Sequence, residues 1–152
     1  MLPGKISKRV VSDRLAWVDR MLSEIRALPL DSKPEFMQDS RNVWAAESCL
    51  RRSLEALFDM GRHIVAKGFG EAVTEYKEIA AVLNRRKVIS ASELILMAKL
   101  AGYRNRLVHF YHDVSADELF EICSSHLGDV EQIVNALRSW LANHPAALDE
   151  TL

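Results

Sequence analysis

Between Glu35 and His144 this chain contains no proline; its four prolines, Pro3, Pro29, Pro34 and Pro145, stand toward the ends. Proline removes a backbone donor and clashes with the preceding turn, so a long stretch without it leaves room for long helices. Apolar residues recur there at three-to-four spacing, without the alternation of a strand, which predicts an all-α fold. A first helix is expected from about Ile6 to Ala27, on the stripe Val10, Val11, Leu15, Val18, Leu22 and Ile25. Pro29 to Gln38 reads as an irregular connection. A second helix covers about Ser40 to Lys67 and stops at Gly68 and Gly70, and a short third covers Thr74 to Arg86 with Tyr76, Ile79 and Leu83 inward. Ser90-Ala91-Ser92-Glu93 and Ser115-Ala116-Asp117-Glu118 have the capping-box form, in which Ser and Glu satisfy free backbone donors. They open a fourth helix and a fifth that runs to about Ala142. Short connections make neighbours antiparallel, so the expectation is a five-helix up-and-down bundle forming one domain over 1–152.

Charge narrows the functions available. The chain has 20 Lys and Arg against 21 Asp and Glu, a formal net charge of −1. A protein that held nucleic acid by a broad basic face would be strongly basic, so such contact must come from a local patch. Cys49 and Cys123 fall among apolar helix residues and read as buried thiols of a reducing compartment. No run approaches the ~18 apolar residues of a membrane span, and Met1 to Gly4 lacks a signal-peptide core, so the expected location is cytoplasmic, without a membrane.

One decapeptide, Tyr103-Arg104-Asn105-Arg106-Leu107-Val108-His109-Phe110-Tyr111-His112, concentrates ionisable groups at the end of the apolar fourth helix. Arginine brings a permanent charge and a planar fork of donors suited to phosphate. Histidine exchanges a proton near neutral pH. Together they suggest chemistry on a phosphodiester. On a regular helix, however, Arg104 and His109 stand roughly 140° apart around the axis. Two geometries bring them together: unwinding near Val108 to Phe110, or two copies packing their fourth helices so that both motifs line one cleft. Gly102 would allow such close approach. The residues alone also admit a plainer reading, in which Arg104, Arg106 and His109 complement the helix dipole.

The pattern Arg-x4-His-x-Tyr, with Asn105 after the arginine and a long helix following, resembles the HepT branch of the HEPN superfamily of small all-helical domains. The resemblance covers nearly the whole chain. It implies a single HEPN-like domain, dimerising along the motif-bearing helices. It further implies a metal-independent endoribonuclease, the toxin of a type VII toxin–antitoxin pair, that uses no cofactor. The partner would be a minimal nucleotidyltransferase that adds AMP to the motif tyrosine, here Tyr111. In that reading His109 moves the proton of a ribose 2′-hydroxyl or of the leaving oxygen, and Arg104 neutralises phosphoryl charge. Asn105 orients His109 or substrate. Arg106 is a phosphate-steering residue or a solvated charge. The rival reading is a non-catalytic HEPN subunit that holds nucleotide or substrate for a nucleotidyltransferase.

Other features read as structure. His109, His112 and Asp113 lack the second cluster that a catalytic zinc requires. Gly68-Phe69-Gly70 lacks the Gly-Lys-Ser/Thr ending of a phosphate loop. Arg51 and Arg52 are surface charges or a basic rim to the cleft. His63, His126 and His144 need no function, and Trp17, Trp44 and Trp140 are expected to pack.

Overall fold

The computed structural model describes residues 5–150, together with the backbone but not the side chain of Tyr111. Seven α-helices occur among the described residues: α1 (Lys8–Arg26), α2 (Lys33–Gln38), α3 (Ser40–His63), α4 (Tyr76–Arg85), α5 (Ala91–His109), α6 (Ala116–Ser125) and α7 (Leu127–Asn143). A π-helical turn, Ile64–Gly68, prolongs α3, and two-residue strands β1 (Ile6–Ser7) and β2 (Leu148–Asp149) pair in parallel.

The all-α expectation holds, but two helices were not foreseen. The connection after Pro29 contains α2. Ser32 caps it by accepting from the Glu35 N–H, and Pro34 sits in its first turn, where a missing donor costs nothing. Its Phe36 is wholly buried, with its ring 5.2 Å from that of Phe120. The expected fifth helix is two, α6 and α7, divided at His126. Ser124 Oγ donates to the Phe120 carbonyl at 2.7 Å just before the break. Such side-chain bonds compete with the helix ladder, and the Ser-Ser-His run has little propensity to carry it onward.

A hydrophobic cluster runs through all seven helices. The long helix α3 is its axis: α1 lies along it, and α4, α5 and α6 pack on other sides. Gly61 lets α4 come close to α3, because a Cβ there would stand 3.1 Å from Ile79 Cγ2 and 3.3 Å from Leu83 Cδ1 of α4. Helix starts follow the sequence signals. Ser90 and Glu93 form the full reciprocal box, whereas at Ser115 only the hydroxyl half forms, because Arg106 holds the Glu118 carboxylate. His63 also has a structural task, since its Nε2 accepts the Ser7 backbone N–H at 2.9 Å where β1 meets α3. Of the tryptophans, Trp140 packs against Phe69 and His144, but Trp17 is 40% and Trp44 65% exposed. Apolar spacing finds a helical face without showing whether a neighbour covers all of it.

Candidate functional site

The motif occupies the last turns of α5. The helix stays regular through His109 and closes at Phe110, whose N–H reaches the Arg106 carbonyl. Unwinding therefore begins only after His109. Arg104 and His109 nevertheless border one open depression of about 650 Å³, which wraps around this end of α5. Its other walls are Arg62 of α3 and the segment 74–77 at the start of α4, with Asn105 and Phe110 completing the rim.

Arg104 enters from the buried side. Its guanidinium carbon lies 4.4 Å from the centroid of the Tyr76 ring. Nη2 donates to Glu55 Oε2 and Nη1 to Asn105 Oδ1, each at 3.4 Å, while Nε is buried without a hydrogen-bond partner among the described residues. Glu55 also receives Arg51 at 2.6 Å. Arg51 is thus engaged on α3, and Arg52 donates to Ser48 at 3.2 Å. Arg62 reaches Asp59 and the Thr74 carbonyl, both at 3.2 Å, and its guanidinium carbon is 5.7 Å from the same Tyr76 ring. Burial, first of all, pushes the Tyr76 hydroxyl above its ordinary pKa; Asp59 and Glu55 add to the rise, and Arg104 and Arg62 oppose it.

His109 stands exposed at the rim, its ring steeply inclined to that of Phe110, which is itself 53% exposed. The site thus offers an exposed imidazole at its rim and a partly buried guanidinium held against a ring. That arrangement suits an anionic group whose charge rises during reaction.

Arg106 is placed elsewhere. It is absent from the walls of the depression and grips Glu118 of α6 with both terminal nitrogens, at 2.5 and 2.7 Å. One of them also donates to the Asp113 carbonyl at 3.2 Å. Hydrogen bonding from Arg106 holds the Glu118 carboxyl below its ordinary range. The three-residue turn Tyr111–Asp113 is therefore tied back to α5. Tyr111 opens that turn; its side chain lies outside the described residues. Gly102, expected to admit a close neighbour, has nothing among the described residues within 4 Å of the position a Cβ would take.

Among the described residues no group of three His, Cys, Asp or Glu is placed to hold a metal ion. No described helix is long and apolar enough to cross a membrane. Cys123 is buried and its thiol is pushed up to about 12 by burial and by Cys49, and burial raises Cys49 as well. Neither has the electropositive, accessible setting of a reactive thiolate. Sequence reasoning missed Glu55, Arg62 and the inner role of Tyr76. Their part depends on α3 and α4 meeting α5, and no local signal marks it.

A small all-helical domain with an Arg–Asn–His rim at the end of one helix is the class that fold and site define. The family described as Ribonuclease HepT-like matches residues 18–137, and the chain belongs to that family. A tRNA nuclease HepT of Aphanizomenon flos-aquae is 24% identical over 133 residues, covering 87% of this chain and 90% of that protein. An mRNA nuclease HepT of Shewanella oneidensis is 22% identical, covering 86% and 97%. Among solved structures, the tri-AMPylated Shewanella oneidensis HEPN toxin in complex with an MNT antitoxin superimposes with a TM-score of 0.76 at 22% identity, over 86% of this chain and 97% of that one. At that identity the likeness establishes the HEPN fold.

Proposed function

We propose that this chain is a metal-independent endoribonuclease, the toxin of a type VII toxin–antitoxin pair. The observation that carries the reading is that Arg104, Asn105 and His109 border one depression despite their spacing around α5. His109 takes the proton of a ribose 2′-hydroxyl, the freed oxygen attacks the adjacent phosphorus, and the 5′ oxygen leaves with a proton. Cleavage yields a 2′,3′-cyclic phosphate. Arg104 neutralises charge gathering on the non-bridging oxygens, and Asn105 orients the phosphate beside it. Histidine and arginine supply the proton transfer and the charge themselves.

The reading includes a homodimer along α5. Ile95 is 73% exposed on this helix, and Gly102, two turns on, faces open space, so a second copy can approach the same face that carries Asn105 and His109. Its motif would supply the second proton carrier. The antitoxin is a minimal nucleotidyltransferase that adds AMP to Tyr111, two residues beyond His109. A bulky anion there blocks the entry of RNA phosphate by charge and volume. The AMPylated HEPN toxin with its antitoxin, alike in fold, supports this partner. Arg106 serves by holding the Tyr111 turn.

Cleavage of total RNA, tRNA and mRNA in EDTA, by wild type, Arg104→Ala and His109→Ala, tests the reading. Cutting by wild type, slowed on the order of a hundredfold or more in both variants, supports it. Binding without cutting by all three would instead indicate the nucleotide- or substrate-holding subunit.

A further inference from the structure

Arg104 is held more by a ring than by its hydrogen bonds. Among the described residues its polar contacts, to Glu55 and Asn105, are both 3.4 Å long, and its Nε has no partner. The guanidinium carbon, by contrast, is 4.4 Å from the centre of Tyr76, within the range of a strong cation–π contact. Tyr76 is in turn fixed from below: Phe58 of α3, wholly buried, stacks on it with centroids 4.5 Å apart and planes 12° from parallel. A ring stacked so closely occupies one face of Tyr76, which leaves the guanidinium the other. Phe58, Tyr76 and Arg104 thus form a column rising from the core to the depression, and Arg62 stands 5.7 Å from the middle ring.

We propose that Tyr76 is a positioning residue that presents Arg104 to the scissile phosphate, acting through its ring face and not its hydroxyl. The proposal rests on the endoribonuclease reading only for its catalytic consequence. A guanidinium joined to the backbone through four rotatable bonds would otherwise sample many directions; a flat apolar-faced ring on a rigid base restricts it to one plane before substrate arrives. Desolvation on the ring side also strengthens the field it offers to the phosphate.

Two measurements on the full chain separate this proposal from the reading beneath it. The first needs no activity: side-chain Nε–Hε spectra of 15N-labelled protein, with Arg104 assigned from Arg104→Lys. Ring currents and burial should give Arg104 an upfield, slowly exchanging Hε signal. Tyr76→Phe should keep that signal, and Tyr76→Leu should return it to the free-arginine position. Persistence of the shifted signal in a folded Tyr76→Leu overturns the proposal. The second is a double-mutant cycle in RNA cleavage. Tyr76→Leu should lower kcat on the order of tenfold with little change in KM, and Tyr76→Phe should restore it. In the Arg104→Ala background Tyr76→Leu should cost less than about twofold, because coupled residues are not additive. Independent, multiplying losses overturn the proposal. Failure of wild type to cut RNA removes the endoribonuclease reading, while the spectra still decide whether Tyr76 positions Arg104.

Discussion

Glu55 Oε2 stands 3.4 Å from Nη2 of Arg104, so a carboxylate on α3 faces the cation that the site offers to phosphate. The pair is partly buried, with side-chain exposures of 20% for Arg104 and 29% for Glu55. It therefore both holds the guanidinium and repels an arriving anion. Glu55→Gln keeps the shape and removes the repulsion. Exposed and half-exposed pairs are worth up to about 1 kcal/mol, which sets an expected fall in KM for RNA of roughly three- to fivefold. Steady-state cleavage kinetics at two salt concentrations check it; an unchanged or raised KM would count against Arg104 as the phosphate contact.

The Arg106–Glu118 clamp makes a different prediction, one of stability and local order. Arg106→Ala should lower the unfolding free energy by about 0.5–1 kcal/mol, a figure already reduced for solvent screening. More tellingly, amide exchange in the Tyr111–Asp113 turn should rise while the rest of α5 keeps its protection. Because the Glu118 carboxyl titrates below its ordinary 4.5, the stabilisation is present above that value and is lost as pH falls through the lowered pKa. Urea unfolding between pH 7 and pH 3 should show this loss in wild type and less of it in Glu118→Gln.

His63 sets a second pH window, nearer neutrality. Burial, with help from Lys67 and Arg14, holds its imidazole below the ordinary 6.5, and the neutral ring accepts the Ser7 N–H. The unfolded chain therefore binds the proton first as pH drops. Stability should fall from about 6.5 downward until the folded-state pKa is passed. His63→Gln offers a neutral acceptor at all pH values. Thermal melts at pH 7.5 and 5.5 should differ less in that variant than in wild type.

Two glycines should respond in opposite directions to the same change. At Gly61 an added methyl meets Ile79 and Leu83 at 3.1 and 3.3 Å, so Gly61→Ala should be destabilising by about 1–2 kcal/mol, overpacking outweighing the gain in helix propensity. At Gly102 no described residue lies within 4 Å, and Gly102→Ala should stabilise the fold by about 0.5–1 kcal/mol. Denaturant titrations read both. Sedimentation of a bulkier Gly102→Arg should show dissociation if a second copy covers this face; an unchanged oligomeric state would remove α5 as the interface.

What the sequence made legible was whatever is periodic or local. The stripes of α1, α3 and α4, the box at Ser90 and the motif at the end of α5 are written within a few turns, and each is where spacing puts it. The break at His126 is not, because Cys123, Leu127 and Val130 keep helical spacing across it. A six-residue helix such as α2 is shorter than the window in which a period can be recognised. The site divides in the same way. Arg104, Asn105 and His109 are legible as a cluster, but Glu55, Arg62 and Tyr76 join them only through tertiary packing. Arg106 shows the limit most plainly: its neighbours in sequence leave a steering charge and a solvated one equally open, and its pairing with Glu118 of α6 follows only from the packing.

The pairing of Ile6 with Leu148 brings together positions separated by nearly the whole described chain, and the Ser7 N–H beside it binds His63. Contacts so distant in sequence can close only after the helices between them have been gathered, since the entropy of that loop must first be overcome. The latch should therefore be absent from the folding transition state. Substitutions at Ile6 or Leu148 would leave the folding rate nearly untouched and speed unfolding instead, so this small junction governs how long the folded molecule persists once formed.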